Sequence, residues 1–346
     1  METLTLSLIF VVLVVGIFDF TNGFHDAADM VATAIASRAM QPATAIAIVS
    51  IFTFIAPFTV GLAVADTVGT FINISAASQS AGENIVIAAL LAAVSYNLAT
   101  WKLGFPSSSS NSLAGGLVGA ALYSSGSNEI HWGVQALQKG ELEGVMKVIA
   151  GLFASPVLGF VVGYFLMKLI FLVFRHFRQR INVLFIKSQY LSVAWLGFSH
   201  GANDAQKGMA IIGMMILADE SGKGVFEVPD WAIVWCATAI TLGTMFGGWS
   251  IIKTLGFGLF KVKTTHSVAD QIGSALVNTI ATSIGAPTST SQVVTATLLG
   301  NGAAEKPGHV KWRTAAGIVS GWWLNLPVSI VLGWVYCLLF NFLRGV

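Results

Sequence analysis

Long apolar runs recur along the whole chain, and they decide its fold class before any single residue is considered. Residues 4–18, 43–64, 85–100, 145–174, 193–217, 231–252 and 315–340 are predominantly apolar. A helix needs roughly 20 such residues to cross a bilayer, and in lipid only helices and closed barrels satisfy every backbone N–H and C=O. The strict apolar-polar alternation of barrel strands is missing, and Gly, Ala, Leu, Ile and Val dominate instead. Charged residues are 10% of the chain, whereas soluble domains carry roughly 25%. The chain reads as an all-α polytopic membrane protein whose first partner is the lipid bilayer.

Other classes are set aside on similar grounds. A net charge of +2 gives no basic face, so no nucleic-acid partner is expected. Cys236 and Cys337 lie in apolar segments without CxxC spacing and read as packing residues. Residues 4–18 have the length of a signal peptide's apolar core but lack a basic region before them, and Asp19 to Asp29 follow in place of a small-residue cleavage site. They are expected to be the first half of a retained membrane helix.

Two polar stretches break this pattern: Asn22-Gly23-Phe24-His25-Asp26-Ala27-Ala28-Asp29 and Gly201-Ala202-Asn203-Asp204-Ala205-Gln206-Lys207-Gly208. A carboxylate at the centre of a membrane helix costs about 2.5–3.5 kcal/mol on insertion scales, which makes each stretch a candidate functional site. Helical continuation would bring Asn22, Asp26 and Asp29 to one face, and Gly23 permits a local break. A second pair of signals is Gly104-Phe105-Pro106-Ser107-Ser108-Ser109-Ser110-Asn111-Ser112 and Ala286-Pro287-Thr288-Ser289-Thr290-Ser291-Gln292. Proline and hydroxyls favour a helix start. Each is followed by only about a dozen apolar residues, a length that suits a re-entrant helix better than a full span.

These signals are duplicated. An offset of 178 residues places Asp26 on Asp204 and Gly23 on Gly201, and an offset of 181 places Pro106 on Pro287, Ser110 on Ser291 and Asn97 on Asn278. Between the copies lie Arg175, His176, Arg178, Arg180 and Lys187, the strongest basic cluster in the chain. The positive-inside rule assigns that cluster to the cytoplasm. The expected organisation is a first membrane repeat over 1–174, a cytoplasmic connecting loop over 175–190 and a second membrane repeat over 191–346. Interrupted segments at matching places in two halves are the pointer to a transporter's binding site.

With the hydroxyl segments, the two Asp motifs resemble the inorganic phosphate transporter (PiT) family. Gly201-Ala202-Asn203-Asp204 is similar to that family's GAND pattern, while the first copy carries His25 where the pattern has Asn. The resemblance covers most of the chain. It implies secondary uptake of phosphate, two inverted repeats with broken helices and re-entrant Pro/Ser/Thr hairpin segments, a place in the plasma membrane and a homodimer.

On that reading, phosphate is bound without lysine or arginine. Ser107, Ser108, Ser109 and Ser110, with Thr288, Ser289, Thr290 and Ser291, would present hydroxyls and helix N-termini, whose free N–H groups attract anions. Ordinary helix capping is the competing role. Asp26 and Asp204, with Asn22, Asn111, Asn203 and Gln292, form a hard-oxygen set suited to sodium, and unwound backbone carbonyls would complete it. His25, His200 and Gln206 are further polar lining. Asp29 and Lys207 correspond under the first offset and are a candidate pair between the halves, while Gly115 and Gly119 read as a close-packing pair.

The expected function is sodium-coupled symport of inorganic phosphate into the cell, with no cofactor beyond the coupling ion. Proton coupling, a metal-phosphate carrier and an anion channel are the alternatives. No nucleophile–base or metal constellation supports an enzyme.

Overall fold

The computed structural model describes residues 6–74, 78–103, 107–124, 126, 130–176, 181–219, 224–247 and 249–344, the side chains of 249–251 and 344 excepted. Gly104, Phe105 and Pro106 of the first hydroxyl segment and Arg178 and Arg180 of the basic cluster lie outside the described residues. Among those residues the chain is helical, with a single isolated bridge between Ile72 and Ile130.

Among the described residues, four helices are long and apolar enough to cross a membrane: α1 (Leu6–Ala36), α4 (Gln79–Leu103), α7 (Gly144–Phe174) and α13 (Trp312–Arg344). A fifth span is bent. Helix α2 (Pro42–Ile55) runs through a 3-10 turn containing Pro57 into α3 (Ala63–Thr70), with a bend of 73°. The remaining elements are α5 (Ser109–Ser124), the short α6 (Val134–Gln138), α8 (Asn182–Asp219), α9 (Asp230–Phe246), α10 (Trp249–Gly258), α11 (Thr264–Ser283) and α12 (Thr290–Glu305). The expected connection over 175–190 is already helical from Asn182 onward. The apolar stretch 231–252 divides at Gly247, whose φ of +57° ends α9.

The centre of the molecule is α1 and α8, the two helices that carry the Asp motifs. Ser199 to Met215 of α8 are buried on every face, as are His25 to Ala34 of α1. Polar helices this deeply enclosed are shielded from lipid by their neighbours, the arrangement in which intramembrane charges are tolerated.

Both helices run unbroken through their motifs, contrary to the local break expected at Gly23. The glycines serve close packing instead. A Cβ at Gly23 would sit 2.0 Å from the Ile240 carbonyl oxygen of α9, and one at Gly201 would sit 2.3 Å from that of Thr53 on α2. Without side chains at these points the backbones approach, as small residues allow in membrane helices. The exchange is reciprocal, with α1 on α9 and α8 on α2. Because the helices do not unwind, their hydrogen-bonded carbonyls are not freed to act as ligands there.

The interruptions occur in two hairpins. Helices α4 and α5 run antiparallel, joined by the bond from Ser112 Oγ to Asn97 Oδ1 at 3.0 Å, and the start of α4 is tied to the end of α8 through Gln79 and Asp219. Helices α11 and α12 also run antiparallel, with Lys263 bonded to Glu305, and the start of α11 is tied to the start of α8 through Thr264 and Asn182. The hairpin bases therefore lie at opposite ends of α8. Their tips meet between those ends, where Ser110 Oγ donates to the Thr288 carbonyl at 2.6 Å. Behind the tips, α5 packs on α13 and α12 packs on α7. Gly119 brings α5 against α13, since a Cβ there would lie 1.9 Å from the Ile330 carbonyl oxygen.

Candidate functional site

The two Asp motifs and the two hairpin tips converge on one buried point. On α8, His200, Asp204 and Lys207 recur at i, i+4 and i+7, so they share one helix face. On α1, Asn22 and Asp26 share the facing side by the same spacing. His200 Nδ1 lies 3.5 Å from Asp26 Oδ2 and 3.4 Å from Asp204 Oδ2. One ligand atom from each of Asp26, His200 and Asp204 falls within 4.8 Å of the others, so these three groups could hold a cation. Asn22 Nδ2 donates to Asp204 Oδ2 at 3.3 Å, and Asn22 Oδ1 accepts from Ser109 Oγ at 2.6 Å.

The hairpin tips complete the site from above and below. Ser291 at the start of α12 donates to Asp26 Oδ1. Thr290 Oγ1 lies 3.3 Å from His200 Nδ1 and accepts from Asn278 Nδ2, also at 3.3 Å. The N-termini of α5 and α12 face one another across this cluster, so both positive helix ends and their unpaired N–H groups are directed to one place. Two roles separate within the hydroxyl segments. Ser109, Ser110, Thr290 and Ser291 contact the Asp motifs or the opposing tip, while Ser108 Oγ accepts from Asn111 N at 3.1 Å and Ser289 Oγ from Gln292 N at 3.4 Å as helix caps. Ser107 is turned to Thr100, 2.7 Å away. Thr288 is held from several sides: its N donates to Asn203 Oδ1 at 3.0 Å and its Oγ1 to Asn278 Oδ1 at 3.2 Å.

The remaining expected residues lie elsewhere. Asn203 bonds Thr282 Oγ1 at 2.9 Å and the Ala286 carbonyl at 3.2 Å, so it braces the turn between α11 and α12. Gln292 lines a cavity bounded by α7, α12 and α13, beside Phe153, Phe160 and Trp322. Asn111 is buried with an unpartnered Oδ1. His25 Nδ1 meets the Thr21 carbonyl of its own helix at 2.9 Å. Gln206 accepts from Val64 N and Ala65 N at 2.9 and 3.0 Å, and so caps α3 at the bend after α2.

Lys207 is the residue that sequence reasoning misplaced. It does not pair with Asp29. Its ammonium donates to Asp204 Oδ1 three residues earlier, to Ser110 Oγ at 2.5 Å and to the Thr288 carbonyl at 2.8 Å. The side chain is 1% exposed. A cation thus stands between the hairpin tips, where the hydroxyl segments themselves offer none. The i, i+3 spacing from Asp204 was the signal that could have found it. Asn278 was missed as well, although its register mate Asn97 marks the same place in the first hairpin.

The description "Phosphate transporter family" fits a sequence profile that matches residues 22–333. The chain is 34% identical over 342 residues to a probable low-affinity inorganic phosphate transporter of Bacillus subtilis (strain 168), covering 99% of each chain. It is 35% identical over 316 residues to the protein of the same description in Rhizobium meliloti (strain 1021), covering 91% of each. A solved structure described as the sodium-dependent phosphate transporter superposes with a TM-score of 0.86 at 20% identity, covering 98% of this chain and 100% of the other. That likeness shows the shared fold.

Proposed function

The chain belongs to the phosphate transporter family, and from that premise we propose that it is a symporter that carries inorganic phosphate into the cell with sodium as the coupling ion. It is a multi-pass transporter of the plasma membrane and not an enzyme. One observation carries the proposal: two hairpin tips from opposite ends of α8 meet over a buried carboxylate pair. Phosphate is an anion matched to the two helix N-termini and to the Ser109, Ser110 and Thr290 hydroxyls. Asp26 and Asp204, joined by Asn22 and Ser291, offer the oxygen ligands that a hard cation takes. Binding one charge beside the other lowers the charge that must cross the apolar layer.

The meeting of the tips also suggests how access alternates. Each hairpin closes the site toward one end of α8, and two inverted repeats would exchange these roles as one bundle moves against the other. The solved relative is described as sodium-dependent, which supports testing sodium first. A second reading has one specific observation behind it. His200 Nδ1 stands almost equidistant from both carboxylates, and an imidazole is a better partner for a proton or a divalent metal than for sodium.

Uptake of labelled phosphate into proteoliposomes separates these readings. Accumulation above the external concentration is expected only under an inward sodium gradient. Accumulation driven by a pH gradient alone would transfer the coupling role to protons, and a strict requirement for a divalent cation would identify a metal-phosphate complex as cargo. Equilibration without any gradient would overturn symport and leave a channel.

A further inference from the structure

Among the positions at which the two halves of the site differ, one opposes a carboxylate to an ammonium. The offset that places Asp26 on Asp204 places Asp29 on Lys207, so a carboxylate in one half answers an ammonium in the other. The Lys207 ammonium is enclosed by a carboxylate oxygen of Asp204, the hydroxyl of Ser110 and the backbone carbonyl of Thr288. All three of its donors are thereby used. Carboxylate, hydroxyl and backbone carbonyl are also the ligands that transporters present to a monovalent alkali cation.

The first half has the counterparts of the carboxylate and the hydroxyl without the ammonium. Ser291, the register mate of Ser110, donates to Asp26, the mate of Asp204. Asp29 lies beside Ser291, whose hydroxyl proton goes to Asp26, and near the carboxylates of Asp26 and Asp270, and among the described residues no lysine or arginine pairs with it. A buried carboxylate beside others of its own charge is costly, and an added cation is the partner its position lacks.

We propose that Lys207 is a tethered coupling cation. Its ammonium permanently fills the cation position of the second half. Only the position bounded by Asp26, Asp29 and Ser291 then takes an ion from solution, and each phosphate crosses with one mobile cation fewer than it would in a chain lacking this lysine. The inference rests on the reading of the Asp motifs as the coupling site and divides that site, with Asp204 holding the tethered ammonium and Asp26 facing the mobile ion. It does not depend on which ion the free position takes.

The test compares wild type with Lys207→Gln and Lys207→Arg in proteoliposomes, reading labelled sodium and labelled phosphate together with the net charge moved per phosphate. Lys207→Gln is expected to move one more positive charge per phosphate than wild type, and the Hill coefficient for the cation should rise from about one to about two. Lys207→Arg, which keeps a tethered charge, should hold the wild-type ratio. An unchanged charge ratio in an active Lys207→Gln protein would overturn the proposal and leave Lys207 a structural ion pair. If Lys207→Gln does not transport, phosphate binding to detergent-solubilised Lys207→Ala decides. Restoration by ammonium chloride or sodium chloride supports a cation position, and failure of both to restore binding overturns it. The coupling reading fails separately: wild type would then equilibrate phosphate without any gradient. Proton coupling would change the sodium count but not the added charge in Lys207→Gln.

Discussion

Asp26 and Asp204 are mates by register but not by environment. Asp204 holds Lys207, His200 and Asn22, whereas Asp26 has Ser291 and shares His200. Removing one member of a buried ion pair leaves the other charged and uncompensated, at about 3–5 kcal/mol. Asp204→Asn is therefore expected to lower stability by that order, read as a loss of thermal stability in detergent. Asp26→Asn strands no ammonium. Its stability should stay near wild type while the sodium concentration for half-maximal uptake rises at least tenfold. Equal losses of stability in the two variants would show that Lys207 does not depend on Asp204. Among the hydroxyls, Ser109→Ala combined with Thr290→Ala removes two donors, each worth about 0.5–1.5 kcal/mol. Phosphate affinity should fall by roughly 5-fold to 150-fold, and unaltered affinity in equilibrium binding would exclude these two residues from the phosphate site.

At the scale of the element, the phase of each helix decides which polar residue reaches the site. Asp26 and Asp204 were legible because a carboxylate inside an apolar run is too costly to persist without a use. The hydroxyl segments were legible through their duplication. The phase along α8 was the part left unread: His200, Asp204 and Lys207 fall on one face, while Asn203 and Gln206 fall on others that meet α11 and α3. Gln292 turned away for the same reason, one residue past Ser291 on α12. The breaks in the fold were hidden because glycine signals both unwinding and close approach. Only the positions of Ile240 and Thr53 show that Gly23 and Gly201 serve the second purpose. Gln206 illustrates the consequence. Its amide oxygen caps Val64 N and Ala65 N at the bend after α2. Gln206→Leu should leave these buried donors unsatisfied and lower stability by about 1–3 kcal/mol. The thermal midpoint of the purified protein reads this, and a midpoint equal to wild type would show that the bend needs no cap.

Over the whole molecule, charge divides the two ends and predicts an orientation. Arg38, Lys261 and Lys311 line one cavity with His309, and Lys263 pairs with Glu305 beside it. The bond between Thr264 and Asn182 brings the connection after α7, with Arg175, to the same end. Glu141 and Glu143 instead line a cavity with Lys139 near Leu217, at the end of α8 that also carries Asp219. By the positive-inside rule the basic end is expected in the cytoplasm. On that expectation the α11–α12 hairpin would enter from the cytoplasm and the α4–α5 hairpin from outside. Helix α1 ends at the basic side near Arg38, which would put its start outside. Helix α13 begins beside Lys311 and ends outside, where Asn341 accepts from Asn84 near the start of α4 at 2.7 Å. Single cysteines in a background lacking Cys236 and Cys337 test this with a membrane-impermeant maleimide. Glu141→Cys and Phe342→Cys should label in intact cells, and Arg175→Cys and Lys261→Cys only after permeabilisation. A reversed pattern would overturn the orientation while keeping the two-ended hairpins. Labelling of Glu141→Cys and Lys261→Cys from the same side would overturn the hairpin geometry itself, and with it the meeting of two helix N-termini around the transported anion.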